Sequence, residues 1–160
     1  MNLPVPQTWI DLEFADGVYT FKLGLKQIAE LQTKVGCGIG ALNARVLRGR
    51  YLLDGVAIGL HNEAEYKYED LTETIRLGLI GGGAGEVNEQ PVAVTSIVAN
   101  RLVDNYVHGW PMEEAWKLAA TILDVCIRGY SPKKKADPIK DVTADETSGS
   151  ITPEPLPIAP

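Results

Sequence analysis

The sequence predicts a mainly α fold: an N-terminal β-hairpin, a small bundle of four to five helices, and a disordered C-terminal tail. Three observations carry this. Apolar and charged residues alternate on both sides of Asp16-Gly17, apolar residues recur at helical spacing in blocks between Leu25 and Arg128, and proline crowds the chain after Tyr130. A domain over residues 1–130 and a Pro-rich tail over 131–160 follow from that change of composition. With 160 residues, 45% of them hydrophobic and 22% charged, the chain is long enough for one core.

The hairpin is expected over residues 9–23. Trp9 to Phe14 and Val18 to Leu23 both alternate, and Gly17 supplies the positive φ that a tight turn requires. From Leu25 the period becomes helical through Ile28, Ala29, Leu31 and Val35, with Gly36 placed to cap the end. A second, short helix runs from Ile39 to Leu47 and stops at Gly49; Arg45, Arg48 and Arg50 read as a solvated face near its negative end. Tyr51 to Leu60 fits helix or strand equally well.

A third helix begins near Glu69, where three carboxylates favour the positive end of the dipole, and reaches about Ile80. Gly81 is expected to terminate it in a left-handed conformation, with Gly82, Gly83 and Gly85 as a mobile connector. Gly78 lies inside the helix, where glycine costs about 1 kcal/mol relative to alanine, so another backbone is expected to pack against it. Pro91 is read as the start of a helix ending at Gly109, and Pro111 as the start of the last helix, which runs to Arg128. The segment after Tyr130 holds six of the ten prolines and no aromatic residue, too little apolar area to offset the entropy of ordering it.

Composition also narrows the function. A formal net charge of -6 argues against nucleic acid as a partner, since such domains carry a basic face. No apolar run is long enough to span a membrane, and no secretory leader is visible, so a cytoplasmic location in the host cell is expected. Cys37 and Cys126 stand far apart in apolar or glycine-rich surroundings and read as reduced thiols. His61 and His108 lack metal-ligand spacing to one another or to any cysteine pair, so no metal is expected.

"GLIGGGAGEV", residues 78–87, invites a phosphate-binding reading and fails it. Gly78 and Gly83 have the P-loop spacing, but Ala84 and Gly85 occupy the lysine and hydroxyl positions, and a helix precedes them instead of a strand. With no nucleophile elbow either, the sequence predicts no catalytic residues, no cofactor and no small-molecule substrate. Trp110 and Trp116 are then the residues of interest, as core anchors or as interface anchors.

The string Glu73-Thr74-Ile75-Arg76-Leu77-Gly78-Leu79-Ile80-Gly81-Gly82-Gly83 resembles the signature of the gene transfer agent family of small phage-tail proteins, which are grouped with tail assembly chaperones. Within it Ile75, Arg76, Gly78, Gly81, Gly82 and Gly83 carry the match. Phe21-Lys22-Leu23, Ile28 to Gln32 with Gly36-Cys37-Gly38, Leu102 to Val107, and Leu118 to Leu123 before Gly129-Tyr130 are similar in the same order. The connections Gly49 to Tyr68 and Gly85 to Pro91 are longer than is usual in that family. The resemblance implies a non-enzymatic assembly role: binding of the apolar tape-measure protein while tube subunits polymerise around it. On that expectation the last two helices offer the client surface, through Tyr106, Trp110, Trp116, Leu118 and Ile122. The tape-measure protein and the tail tube protein are the expected partners, with self-association open. A structural tail component retained in the particle, hence a location in the virion tail, is the alternative.

Overall fold

The computed structural model describes residues 5–48, 50–53, 56–59 and 64–131. The tail reading beyond residue 131 lies outside the described residues. The fold is mixed α/β, which corrects the mainly α expectation: a four-stranded antiparallel sheet, in the order β1 (Trp9–Phe14), β2 (Gly17–Lys22), β5 (Ala84–Val87), β6 (Gln90–Ala93), carries helices on one face. Two of its strands occupy stretches that the sequence reads as loop and helix.

Strand β1 (Trp9–Phe14) pairs with β2 (Gly17–Lys22), Phe14 facing Gly17 and Trp9 facing Lys22. The left-handed residue of this turn is Ala15, at φ 55°, not Gly17. Gly17 is small for another reason: a Cβ there would run into the Glu86 carbonyl of the neighbouring strand. Helix α1 (Leu25–Val35) closes on Gly36 at φ 73°, whose N–H donates to the Gln32 carbonyl. Helix α2 (Ile39–Leu47) follows, and the ambiguous stretch beyond it is a hairpin, β3 (Arg50–Leu53) with β4 (Val56–Gly59).

Helix α3 (Tyr68–Gly82) is the central element, with Leu71, Thr74, Ile75, Leu77 and Leu79 buried. It outlasts the expected end by two residues, and Gly83 at φ 66°, not Gly81, caps it by donating to the Leu79 carbonyl. Strands β5 (Ala84–Val87) and β6 (Gln90–Ala93) follow directly. Their tight turn places Asn88 and Glu89 at φ 49° and 61°, a left-handed pair that closes a two-residue hairpin without glycine. Pro91 therefore sits in a strand instead of opening a helix. An edge strand tolerates it, because its missing N–H need not enter the ladder.

Helix α4 (Ser96–Leu102) starts at Thr95, whose hydroxyl accepts from the Val98 N–H, and widens into a π-helical turn over Val103–Val107. Helix α5 (Met112–Arg128) completes the core with Ala115, Trp116, Ala119, Ala120, Ile122, Leu123 and Val125. The inner face of the first hairpin contributes Ile10, Phe14, Tyr19 and Phe21, and the two layers share one hydrophobic core.

Candidate interaction surfaces

The glycine string is a device for joining helix to sheet. Gly81 and Gly82 lie so close to β2 that a Cβ on either would overlap the Lys22 or the Thr20 carbonyl oxygen. Three residues after Gly82, Gly85 faces Tyr19 and pairs with it, and Glu86 pairs with Val18. The chain thus descends along β2, first as the last turn of α3 and then as a strand. Where β5 does not reach, the helix end takes its place beside β2. Gly78 packs against the Ile122 and Phe21 side chains: a methyl group at this position would lie 3.3 Å from Ile122 Cγ2 and 3.4 Å from the Phe21 ring. The close backbone expected at Gly78 lies instead at Gly81 and Gly82.

Ile75 is fully buried, and Arg76, one residue on, faces outward. Its guanidinium donates to Glu73 at 2.6 and 3.0 Å and to Glu30 of α1 at 3.0 Å. Burial opposes that charge, but the two carboxylates outweigh it and hold the Arg76 pKa above the ordinary guanidinium value. These groups floor a shallow cleft of about 420 Å³ between α1 and α4, completed by Lys34, Thr72, Asn100, Asp104 and His108. His108 Nδ1 stands 3.3 Å from Asp104. The charged groups in it are largely paired with one another. Neither this cleft nor any cluster of His, Cys, Asp and Glu among the described residues assembles a metal-binding set.

A second polar node joins α2 to α3. Asp70 is wholly buried; it accepts from Arg45 at 2.6 Å and, through its other oxygen, from the Lys67 N–H at 2.8 Å. Arg48 pairs with Glu65. Of the solvated arginine face expected on α2, Arg45 turns to the buried Asp70, while Arg48 stays exposed in its pair with Glu65. Cys126 points its thiol toward the Leu23 carbonyl at 3.7 Å, and burial pushes its pKa up, which disfavours the reactive thiolate.

The five residues expected to form a client surface divide between interior and exterior. Trp116 is 1% exposed and its indole N–H donates to the Val46 carbonyl at 2.6 Å. Ile122 is buried against Gly78. Tyr106, Trp110 and Leu118 are half-buried. The Trp110 ring meets Phe14 edge-on, with centroids 5.5 Å apart, and its free side forms an apolar depression with Tyr68, His108 and Met112. Helical periodicity alone could not separate Trp116 from Trp110, because both precede or open the same amphipathic helix.

What sequence reasoning missed is the sheet. Its outer face carries Trp9, Asp11, Glu13, Val18, Thr20 and Lys22, with Trp9 38% and Val18 40% exposed. Asp11 accepts from the Thr20 hydroxyl across the hairpin at 2.6 Å. β1 and β6 are its edges. The alternation in β1 and β2 was the signal for the two-faced hairpin; β5 and β6 left none, being four residues each and interrupted by Gly85 and Pro91.

The sheet is thus backed by helices on one face and exposed on the other. The chain belongs to a family of phage and gene transfer agent tail proteins: the family model described as "Phage tail tube protein, GTA-gp10" matches residues 8–129. That description names the tail tube and not an assembly chaperone. No curated protein and no solved structure matches the chain. Among the described residues, no helix is long and apolar enough to cross a membrane.

Proposed function

We propose that this protein is a structural component of the tail, retained in the finished particle and built in by contact with tube subunits or with further copies of itself. The role is non-enzymatic. The observation that carries it is the family match over residues 8–129, which takes in both sheet edges and every helix. The geometry favours the same reading. A chaperone that laid the apolar face of α5 against a client would need that face outward, whereas Trp116, Ala119, Ile122 and Leu123 are buried in a helix packed on α2 and α3. The outer face of the sheet and its edges remain available, and backbone pairing at such edges is a ready means of joining subunits.

Quantitative mass spectrometry of purified particles tests this. The chain should be present in numbers comparable with other tail proteins. The second reading, a chaperone released after tube assembly, would use the half-exposed Trp110 depression for the tape-measure protein; it predicts a particle from which the chain is absent or nearly so.

A further inference from the structure

We propose that the Pro-rich segment 151–160 of the chain docks on the depression formed by Tyr68, His108, Trp110 and Met112 of the same molecule. The depression is apolar and aromatic, about 460 Å³, with Met112 50% exposed at its rim. Trp110 is held in place by its edge contact with Phe14 and by its backbone N–H, which donates to the Val107 carbonyl at 3.0 Å. Its indole N–H, unlike that of Trp116, has no partner among the described residues.

The segment Ile151-Thr-Pro-Glu-Pro-Leu-Pro-Ile-Ala-Pro160 supplies what such a surface recognises. Prolines 153, 155, 157 and 160 favour an extended polyproline helix that loses little entropy on binding. Their rings stack on aromatic faces, and carbonyls with no internal partner accept from an indole N–H. Ile151, Leu156 and Ile158 add apolar anchors.

Reach is sufficient. The described chain ends beside Gln7, where the Tyr130 N–H donates to the Gln7 carbonyl at 2.7 Å, at the far end of α5 from Met112. A helix of that length covers about 25 Å, and the connection from residue 131 to residue 150 can extend to about 66 Å. Tethering also raises the local concentration of the segment into roughly the millimolar range, so a weak contact suffices. Docked there, the segment covers the largest half-exposed aromatic of the helical layer.

The test compares the full-length chain with a full-length variant carrying Pro155→Ala, Leu156→Ser and Pro157→Ala, by NMR of the Trp110 indole N–H and the Met112 methyl. The substitutions should shift both signals and leave the Trp116 indole unmoved, by the same amount at every protein concentration. Adding the free peptide of residues 151–160 to the variant should move them back. Identical spectra for the two chains would overturn the proposal. A difference that fades on dilution would overturn it too, by assigning the occupant to another copy.

Discussion

Gly82 and Gly40 are both helical glycines, and their surroundings make opposite demands. Gly82 admits no Cβ because the Thr20 carbonyl occupies the space, while Gly40 has nothing within 4 Å. Gly82→Ala should therefore lower stability by about 2 kcal/mol or more through overpacking against backbone, and Gly40→Ala should raise it by up to about 1 kcal/mol. Urea unfolding monitored by circular dichroism measures both; equal effects would refute a helix-to-sheet joint at the glycine string. Tyr19 gives a pH prediction. Burial, and next its hydrogen bond to Asp16 at 2.7 Å, push its pKa up from 10.0 to about 12. The unfolded phenol ionises first, so the stabilising contribution is whole below pH 10 and is lost as pH rises through 12. Tyr19→Phe should flatten the fall in stability across that window, measured by denaturant midpoint against pH. The sequence marked Gly81 and Gly82 as unusual, but not which carbonyl each one approaches, because those carbonyls belong to a strand some sixty residues earlier.

At the scale of elements, α5 illustrates how one helix serves core and surface at once. Its inward stripe closes over α2 and α3, and Trp116 ties it to α2 through the Val46 carbonyl. Trp110, just before the helix, packs one ring edge on Phe14 and leaves the rest near solvent. Trp116→Ala should cost about 3–5 kcal/mol, as large buried aromatics do. Trp110→Ala should cost no more than about 2 kcal/mol, since it forfeits mainly an edge-to-face contact and partial burial. Thermal and urea unfolding of the two variants check the contrast, and similar losses would mean that Trp110 is as much a core residue as Trp116. Helices α1, α3 and α5 were legible because periodicity agreed with nearby glycine stops, joined by acidic first turns in α3 and α5 and by Pro111 ahead of α5. Strands β5 and β6 were not, because a four-residue strand carries almost no period and its turn used Asn88-Glu89 where glycine is the usual signal.

For the whole molecule, assembly sets two forces against each other. On the proposed assembly role, a formal charge of -6 opposes contact between copies, while an outer sheet face bearing Trp9 and Val18, with β1 and β6 as its edges, is the surface that would favour it. Screening falls on the first force alone: the Debye length shrinks from about 30 Å at 0.01 M salt to about 8 Å at 0.15 M. Sedimentation velocity should therefore show self-association that strengthens with ionic strength, and a strict monomer at all salt and protein concentrations would leave only tube subunits as the partner. The amino-acid sequence by itself determined helices α1, α2, α3 and α5, the first hairpin, the mismatch of the glycine string to the phosphate-loop pattern and the resemblance to tail proteins, since each rests on local spacing. Only the tertiary structure decided that the helices back a four-stranded sheet and that Trp116 is sealed while Trp110 is not. Both depend on which distant segment fills the space opposite a residue, and local periodicity holds no record of that.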